Sequence, residues 1–378
     1  MWWTKVIFFV LSVSAVLYML LIFAFTEGWN RLDKPSFSHR NLSTSISVVI
    51  PFRNEGAHLV RLLQALLLQT FPHELLEIIF VNDHSDDNGQ KLLEDFIAGQ
   101  NLSHVRVLLS EGKGKKAALQ SGVRVASGRL VLTTDADCFP MRNWLTETVT
   151  LYEERQPRLI LGPVVYYGEK SFLQKLFSLD FMSLVASGAG SAGLGLPFMG
   201  NAANMAFERK VFLDAGTRAL QSGFASGDDV FFIHYVRQKY GRKAITFIKN
   251  ENAIVRTPPP ENLRAFVAQR VRWGSKARAY SQPWALVVSY TVFLFNFLLT
   301  ALLVSGFFYH WVFVVYALFI AMKTLVDFPM LYAYSRFAGK RHLLPFAVPF
   351  ETVYPLYITF VAFRGLFPYR WKNRRWDR

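Results

Sequence analysis

The chain has 378 residues, of which 52% are hydrophobic, 16% aromatic and only 18% charged, and 42 Lys and Arg against 27 Asp and Glu leave a net charge of +15. That balance excludes an intrinsically disordered chain, which needs low hydrophobicity, and with Gly at 23 and Pro at 16 it excludes a collagen-like one. The single cysteine excludes an internal disulfide or a cysteine-based zinc site, and the mean hydropathy of +0.21 places part of the chain in lipid.

The first predicted element is residues 6–25 (VIFFVLSVSAVLYMLLIFAF), which carry no charge. About 20 apolar residues at ~1.5 Å each cover the ~30 Å hydrocarbon core. The run is longer than a signal peptide's apolar region, and no Ala-x-Ala site follows it. Residues 1–28 therefore read as a retained transmembrane anchor.

From 45 to 257 the pattern becomes that of an α/β domain. Residues 46–52, 77–83, 105–110 and 129–137 look like buried parallel strands. Helix-period stretches lie at 57–69, 115–126 and 143–154. Such alternation implies a doubly wound sheet that binds ligands outside the carboxyl ends of its strands. Polar clusters fall at those ends: Arg53-Asn54-Glu55, Asp83 to Asp87, and Asp135-Ala136-Asp137. No GxGxxG or GxxxxGK[ST] follows a strand, which removes the main support for dinucleotide or P-loop chemistry.

Residues 258–282 form a basic interfacial segment, and a C-terminal membrane region follows over 284–363. Spans are predicted at 284–308 and 311–334. Lys323 and Asp327, four apart in the latter, read as a structural pair facing the bundle interior rather than as the lining of a lipid or glycan path. Residues 343–363 hold Pro345, Pro349, Glu351 and Pro355, and are expected to re-enter rather than cross. That choice keeps the basic tail, 364–378, on the same side as a cytoplasmic middle domain. The basic residues cluster beside the spans, so anionic lipid rather than nucleic acid is the expected partner of the positive surface.

Carboxylates carry the chemistry. Asp135 and Asp137, two apart on a strand, point to one side and need a cation or a proton to offset their repulsion. Mg²⁺ or Mn²⁺ fits, because such ions share their shell with phosphates; a solvated turn is the plain alternative. Asp83 is placed to accept hydrogen bonds from a base or ribose, or else belongs to a helix cap with Ser85, Asp86 and Asp87. Lys113 and Lys115 near a helix start suit an anionic ligand or a basic turn. Asp228 and Asp229 open a helical run as caps or as a general base. Gln269, Arg270, Arg272 and Trp273 offer cations and an indole to a leaving diphosphate, or lie on anionic lipid. Cys138 reads as a small buried residue rather than a nucleophile.

In order, Pro51-x-x-Asn54-Glu55, Asp83, Gly114-Lys115-x-x-Ala118-Leu119, Asp135-x-Asp137, Gly200-Asn201-x-x-Asn204, Asp228-Asp229 and Gln269-x-x-Arg272-Trp273 resemble the family 2 glycosyltransferases of GT-A fold. The resemblance is greatest to membrane-anchored members such as the chitin, cellulose, hyaluronan and poly-N-acetylglucosamine synthases, and covers about 45–280 plus the flanking spans. It implies a Rossmann-like nucleotide-diphospho-sugar transferase domain flanked by transmembrane helices, in a plasma or inner membrane with the domain in the cytoplasm. It also implies inverting transfer from a nucleotide-diphosphate sugar to a lipid-linked or glycan acceptor.

By motif, Asp83 would bind the nucleoside, with Glu55 and Lys115 nearby. Asp135 would sit by the diphosphate, and Asp137 with Asp135 would hold Mg²⁺ or Mn²⁺. Asp229 would be the base, beside Asp228. Gln269, Arg272 and Trp273 would bind diphosphate and acceptor, and Asn201 and Asn204 would lie on the acceptor side. The family usually has Glu-Asp where this chain has Asp228-Asp229. Two other readings remain open, a nucleotidyltransferase and a non-enzymatic transport subunit. So does processive synthesis, which so small a membrane part would support only with a partner or oligomer.

Overall fold

The computed structural model describes residues 2–34, 41–216, 228–275, 280, 282–367, 369–371 and 374–376. Helix α1 (Trp2–Arg31) comes first. Strand β1 (Ile46–Phe52) leads into α2 (Gly56–Leu67), β2 (Leu76–Asn82) into α3 (Gly89–Gly99), and β3 (Val105–Leu109) into α4 (Lys115–Val125). Next are β4 (Leu130–Thr133), β5 (Phe139–Pro140), α5 (Trp144–Arg155), β6 (Leu159–Leu161), β7 (Val164–Tyr166) and α6 (Phe172–Gly193). They are followed by β8 (Met205–Glu208), α7 (Arg209–Ala215), α8 (Asp228–Tyr240), β9 (Ile245–Phe247) and β10 (Val255–Thr257). The chain continues through α9 (Leu263–Gly274), α10 (Pro283–Gly306), α11 (Val312–Phe337) and α12 (Ala347–Arg364) to β11 (Tyr369–Trp371) and β12 (Arg374–Trp376).

Two compact units result: Leu32–Gly168 with Met199–Pro258, and Met1–Arg31 with Glu169–Phe198 and Pro259–Arg378. The first is built on a seven-stranded sheet of order β3-β2-β1-β4-β8-β6-β9. Strands β3, β2, β1 and β4 run parallel, as their unbroken apolar runs imply, whereas β8 is antiparallel to β4 and β6. Every residue of β1 is buried. The fourth strand is shorter than expected: it stops at Thr133, and Asp135–Asp137 lie in the turn beyond, where the Cys138 N–H donates to the Asp135 carbonyl at 3.0 Å.

Glu147 on α5 is buried in this unit and accepts a hydrogen bond from Asn250 Nδ2 at 2.9 Å. Burial pushes its carboxyl up to about 7, against the hydrogen bonds of Asn252 and Asn250. A carboxyl whose pKa is raised on folding costs stability as pH climbs from its unfolded value, near 4.5, to about 7. Glu147→Gln is therefore expected to melt higher than the parent at pH 8, by on the order of 1 kcal/mol, and to match it near pH 4.5. A difference that does not grow with pH would show that Glu147 is not the titrating group.

Among the described residues, the second unit holds four helices long and apolar enough to cross a membrane, with spans at Phe8–Arg31, Pro283–Gly306, Val312–Phe337 and Arg341–Arg364. Residues 343–363 do not fold back, which corrects the re-entrant expectation. Pro345 falls in a 3₁₀ turn, Arg341–Phe346, and Pro349 in the first turn of α12, where a missing N–H removes no helix bond. Pro355 alone lies deeper, and α12 continues past it.

The Lys323–Asp327 pair does face the interior. Lys323 Nζ lies 2.7 Å from Asp327 and also binds Glu351 of α12, while the Tyr18 hydroxyl of α1 donates to Asp327 at 2.8 Å. The ammonium is thus bound by two carboxylates in a buried cluster that joins three helices.

Helix α6, inside the 45–257 segment by sequence, groups with these helices. Its Gly190 and Gly193 press on α1, where a Cβ would fall 2.3 Å from the Phe25 carbonyl and 1.9 Å from that of Gly28. Small residues of this kind let helix backbones approach. Lys340, just after α11, also binds Glu169 ahead of α6, at 2.8 Å to each oxygen.

Candidate active site

In the sheet, β1 lies between β2 and β4, with Phe52 paired to Asn82 and Val49 to Thr133. The three loops beyond these strands therefore leave the same edge. Asn54, held at φ 55°, accepts the Asp86 N–H at 2.7 Å, and Asp87 accepts that of Gly56 at 2.9 Å. The N-cap position of α3 falls on Asn88, whose side chain makes no cap bond, so Asp86 is not the cap that the sequence suggested; Asp87 alone reaches the helix start, accepting the Gly89 N–H at 3.3 Å, and the two loops are stitched together.

Asp83 behaves differently. It is buried, and its Oδ1 accepts the Gly114 N–H at 2.6 Å. Gly114, at φ 102°, adopts a backbone that other residues resist, and this presents the N–H to Asp83 as α4 begins. One residue on, Lys115 makes an ion pair with Asp135. Burial, then Asp135 and Glu55, push the Asp137 carboxyl up to about 6, with Lys115 opposing. The edge thus gathers Glu55, Asp83, Lys115, Asp135 and Asp137. Three of these carboxylates crowd one ammonium, an arrangement that a cation would relieve.

No group of three or more His, Cys, Asp or Glu placed for a metal occurs among the described residues. Mg²⁺ and Mn²⁺ need fewer protein ligands, because substrate phosphates and water fill most of the shell. The charge crowding on Asp137 fits such an ion. Cys138 is fully buried, and burial together with Asp137 and Asp135 holds its thiol well above the usual range, so it is no nucleophile.

Asp229 stands in the first turn of α8, half-buried, and its Oδ1 accepts the Val230 N–H at 2.8 Å. The Lys116 ammonium lies 5.5 Å over the Phe231 ring, which sets the start of α8 beside the start of α4. The Asp228 side chain and Gly227 lie outside the described residues. Gln269, Arg272 and Trp273 stand on α9, in the helical unit. Arg270, expected to offer its charge to a leaving diphosphate or to anionic lipid, is instead buried against Asp180, a residue that the sequence did not single out.

The acceptor-side expectation for Asn204 is corrected. Its Nδ2 donates to the carbonyls of Pro163 and Ala253, both at 2.8 Å, and its Oδ1 accepts the Trp144 indole N–H at 2.8 Å. All of this is buried, and a Cβ on Gly162 would fall 2.2 Å from the Asn204 side chain. Asn201 caps the short turn beside it, accepting the Ala203 N–H at 3.0 Å. Asn204→Ala is expected to destabilise the protein by roughly 3 kcal/mol, since each stranded buried polar group costs about 1–3 kcal/mol. Thermal melting with turnover per folded molecule checks this, and lost turnover at an unchanged melting point would restore the acceptor role.

Residues 47–216 match the family described as Glycosyl transferase family 2. A relative, the glycosyltransferase GlyG of Streptococcus pneumoniae, is 33% identical over 129 residues, 34% of this chain and 42% of GlyG. The chain thus spans less than half of that relative's length. A dolichyl N-acetyl-alpha-D-glucosaminyl phosphate 3-beta-D-2,3-diacetamido-2,3-dideoxy-beta-D-glucuronosyltransferase of Methanococcus voltae is 18% identical, covering 69% of this chain and 82% of its own. Among solved structures, a mannosyltransferase of Pyrobaculum calidifontis in complex with GDP-Man and Mn²⁺ aligns over 95% of this chain and 99% of its own, with a TM-score of 0.58 at 16% identity. The fold is therefore GT-A-like, as expected.

Proposed function

We propose that the protein is an inverting glycosyltransferase that moves a sugar from a nucleotide-diphosphate sugar to a membrane-associated lipid or glycan acceptor. The observation that carries this is the sheet edge where Glu55, Asp83, Lys115, Asp135 and Asp137 converge within a family 2 domain. Asp83 binds the nucleoside, with Glu55 beside it. Lys115 neutralises charge on the diphosphate as the bond breaks. Asp137, with Asp135, would hold a Mg²⁺ or Mn²⁺ ion whose charge offsets that of the leaving group. Asp229 takes the proton of the acceptor hydroxyl. The acceptor oxygen then bonds to the anomeric carbon from the face opposite the departing nucleoside diphosphate, which inverts that centre. Gln269, Arg272 and Trp273 serve the diphosphate and the acceptor.

The name of the Methanococcus relative, a transferase acting on a dolichyl-phosphate-linked sugar, supports a lipid-linked acceptor. The Mn²⁺ and GDP-Man of the Pyrobaculum complex support the metal and the donor class. Within the helical unit, Phe266 of α9 packs on Tyr357 of α12 with ring centroids 5.2 Å apart, which ties the helix bearing Gln269-x-x-Arg272-Trp273 to a membrane-length helix. The buried Lys323, Asp327 and Glu351 bind one another, and this favours transfer of one or a few sugars over export of a polymer. The test is to supply membranes carrying the protein with labelled UDP- and GDP-sugars. Release of UDP or GDP with a short lipid-extractable product is expected. Pyrophosphate released from a nucleoside triphosphate, or a ladder reaching tens of sugars made by the purified protein, would overturn this reading.

A further inference from the structure

One face of α6 meets one face of α9 through three matched layers. Phe177, Asp180 and Phe181 lie at helical spacing on α6, and Phe266, Arg270 and Trp273 on α9. Phe177 and Phe266 stack with centroids 4.0 Å apart and planes 7° off parallel. Phe181 lies 6.0 Å from Trp273. Between these aromatic layers, Arg270 Nε donates to Asp180 Oδ2 at 2.6 Å, with side chains only 3% and 2% exposed.

Arg270 also reaches two residues of the Gln269-x-x-Arg272-Trp273 motif. Its Nη1 donates to Gln269 Oε1 at 2.5 Å, and its guanidinium carbon sits 4.4 Å over the Trp273 ring. The first contact fixes the Gln269 amide with its oxygen towards Arg270, so that the amide meets any further ligand through its NH₂ donors. The second fixes the plane of the indole. Tyr357 of α12 adds a hydroxyl beside both Asp180 and Arg270.

Burying an ion pair is a poor way to gain stability, because the desolvation cost rivals the attraction and an apolar pair of equal volume often does as well. A planar, five-donor cation does hold several neighbours in fixed directions at once. We infer that Asp180 and Arg270 are positioning residues: Asp180 anchors the guanidinium, and the guanidinium sets Gln269 as a hydrogen-bond donor and Trp273 as a platform for the diphosphate and acceptor. This rests on the transferase reading above.

The test is a double-mutant cycle in the full-length protein, with release of UDP or GDP from UDP-glucose, UDP-N-acetylglucosamine and GDP-mannose as the readout and melting temperature measured alongside. Arg270→Lys keeps the charge beside Asp180 but loses the planar fork. It is expected to lower kcat by about 10- to 100-fold, the range that misplacing a reacting group produces, with melting nearly unchanged. In a Gln269→Ala background the same change is expected to cost several-fold less, because only its hold on Trp273 is left to lose. Asp180→Asn is expected to repeat the pattern more weakly, and Asp180→Glu to recover part of the loss. Independent, multiplying losses in the double variant, or variants that melt early yet turn over normally per folded molecule, would make the pair a structural prop and overturn the inference. A parent protein that releases no nucleotide from any of these donors would instead overturn the transferase reading, and the inference with it.

Discussion

Replacing Asp229 with asparagine is expected to slow sugar transfer by about 10²–10⁴-fold, the usual worth of a general base, with donor affinity little changed. Asparagine retains an oxygen that can accept the Val230 N–H, now 2.8 Å from the Asp229 carboxylate. The first turn of α8 keeps that bond, so the loss is not one of helix capping. Steady-state kinetics with donor in excess, together with nucleotide binding, separate the two effects. An active Asp229→Asn beside an inactive Asp228→Asn would move the role to the neighbouring carboxylate.

The second large effect is expected at Asp137. Asp137→Ala should abolish metal-dependent turnover and leave the fold at least as stable, because it removes a carboxylate whose pKa is already raised to about 6 by burial and by Asp135 and Glu55. The ionised form is disfavoured in the folded state, so the apo protein is relieved rather than weakened above that pH. Mn²⁺ is expected to raise the melting temperature of the parent, more at pH 8 than at pH 5, where it competes with the proton. The variant should show no such rise. Full activity of the parent in EDTA, or metal-stimulated turnover in the variant, would sink the assignment.

Much of the strand-end cluster was legible in the sequence because its strands are apolar runs that end in polar clusters, a pattern that needs no tertiary knowledge. Asp83, Lys115, Asp135 and Asp137 could be named from their places at strand and helix ends. Their mutual arrangement could not, since Gly114 meets Asp83 only because α4 turns back over the sheet. Asn204 shows the opposite limit: a motif position does not tell which way an amide faces, and here it faces the core. Asp180 was hidden because its partner lies 90 residues away. Glu351 was legible only as an ionisable residue in an apolar run, while its salt bridge to Lys323 depends on how α12 packs against α11.

The glycine contact between α1 and α6 bears on how this protein can be handled at the bench. It is tempting to discard an apolar leading helix and purify the remainder from the aqueous phase. Here the discarded piece would be the surface on which Gly190 and Gly193 rest, their positions too close to the Phe25 and Gly28 carbonyls for any side chain. Helix α6 would lose its bed, and Asp180, nearly three turns before Gly190 on the same helix, would lose its bearing on Arg270. A fragment starting after Arg31 is thus a poor source of active material, and detergent or nanodisc preparations of the whole chain are the ones in which transfer should be sought.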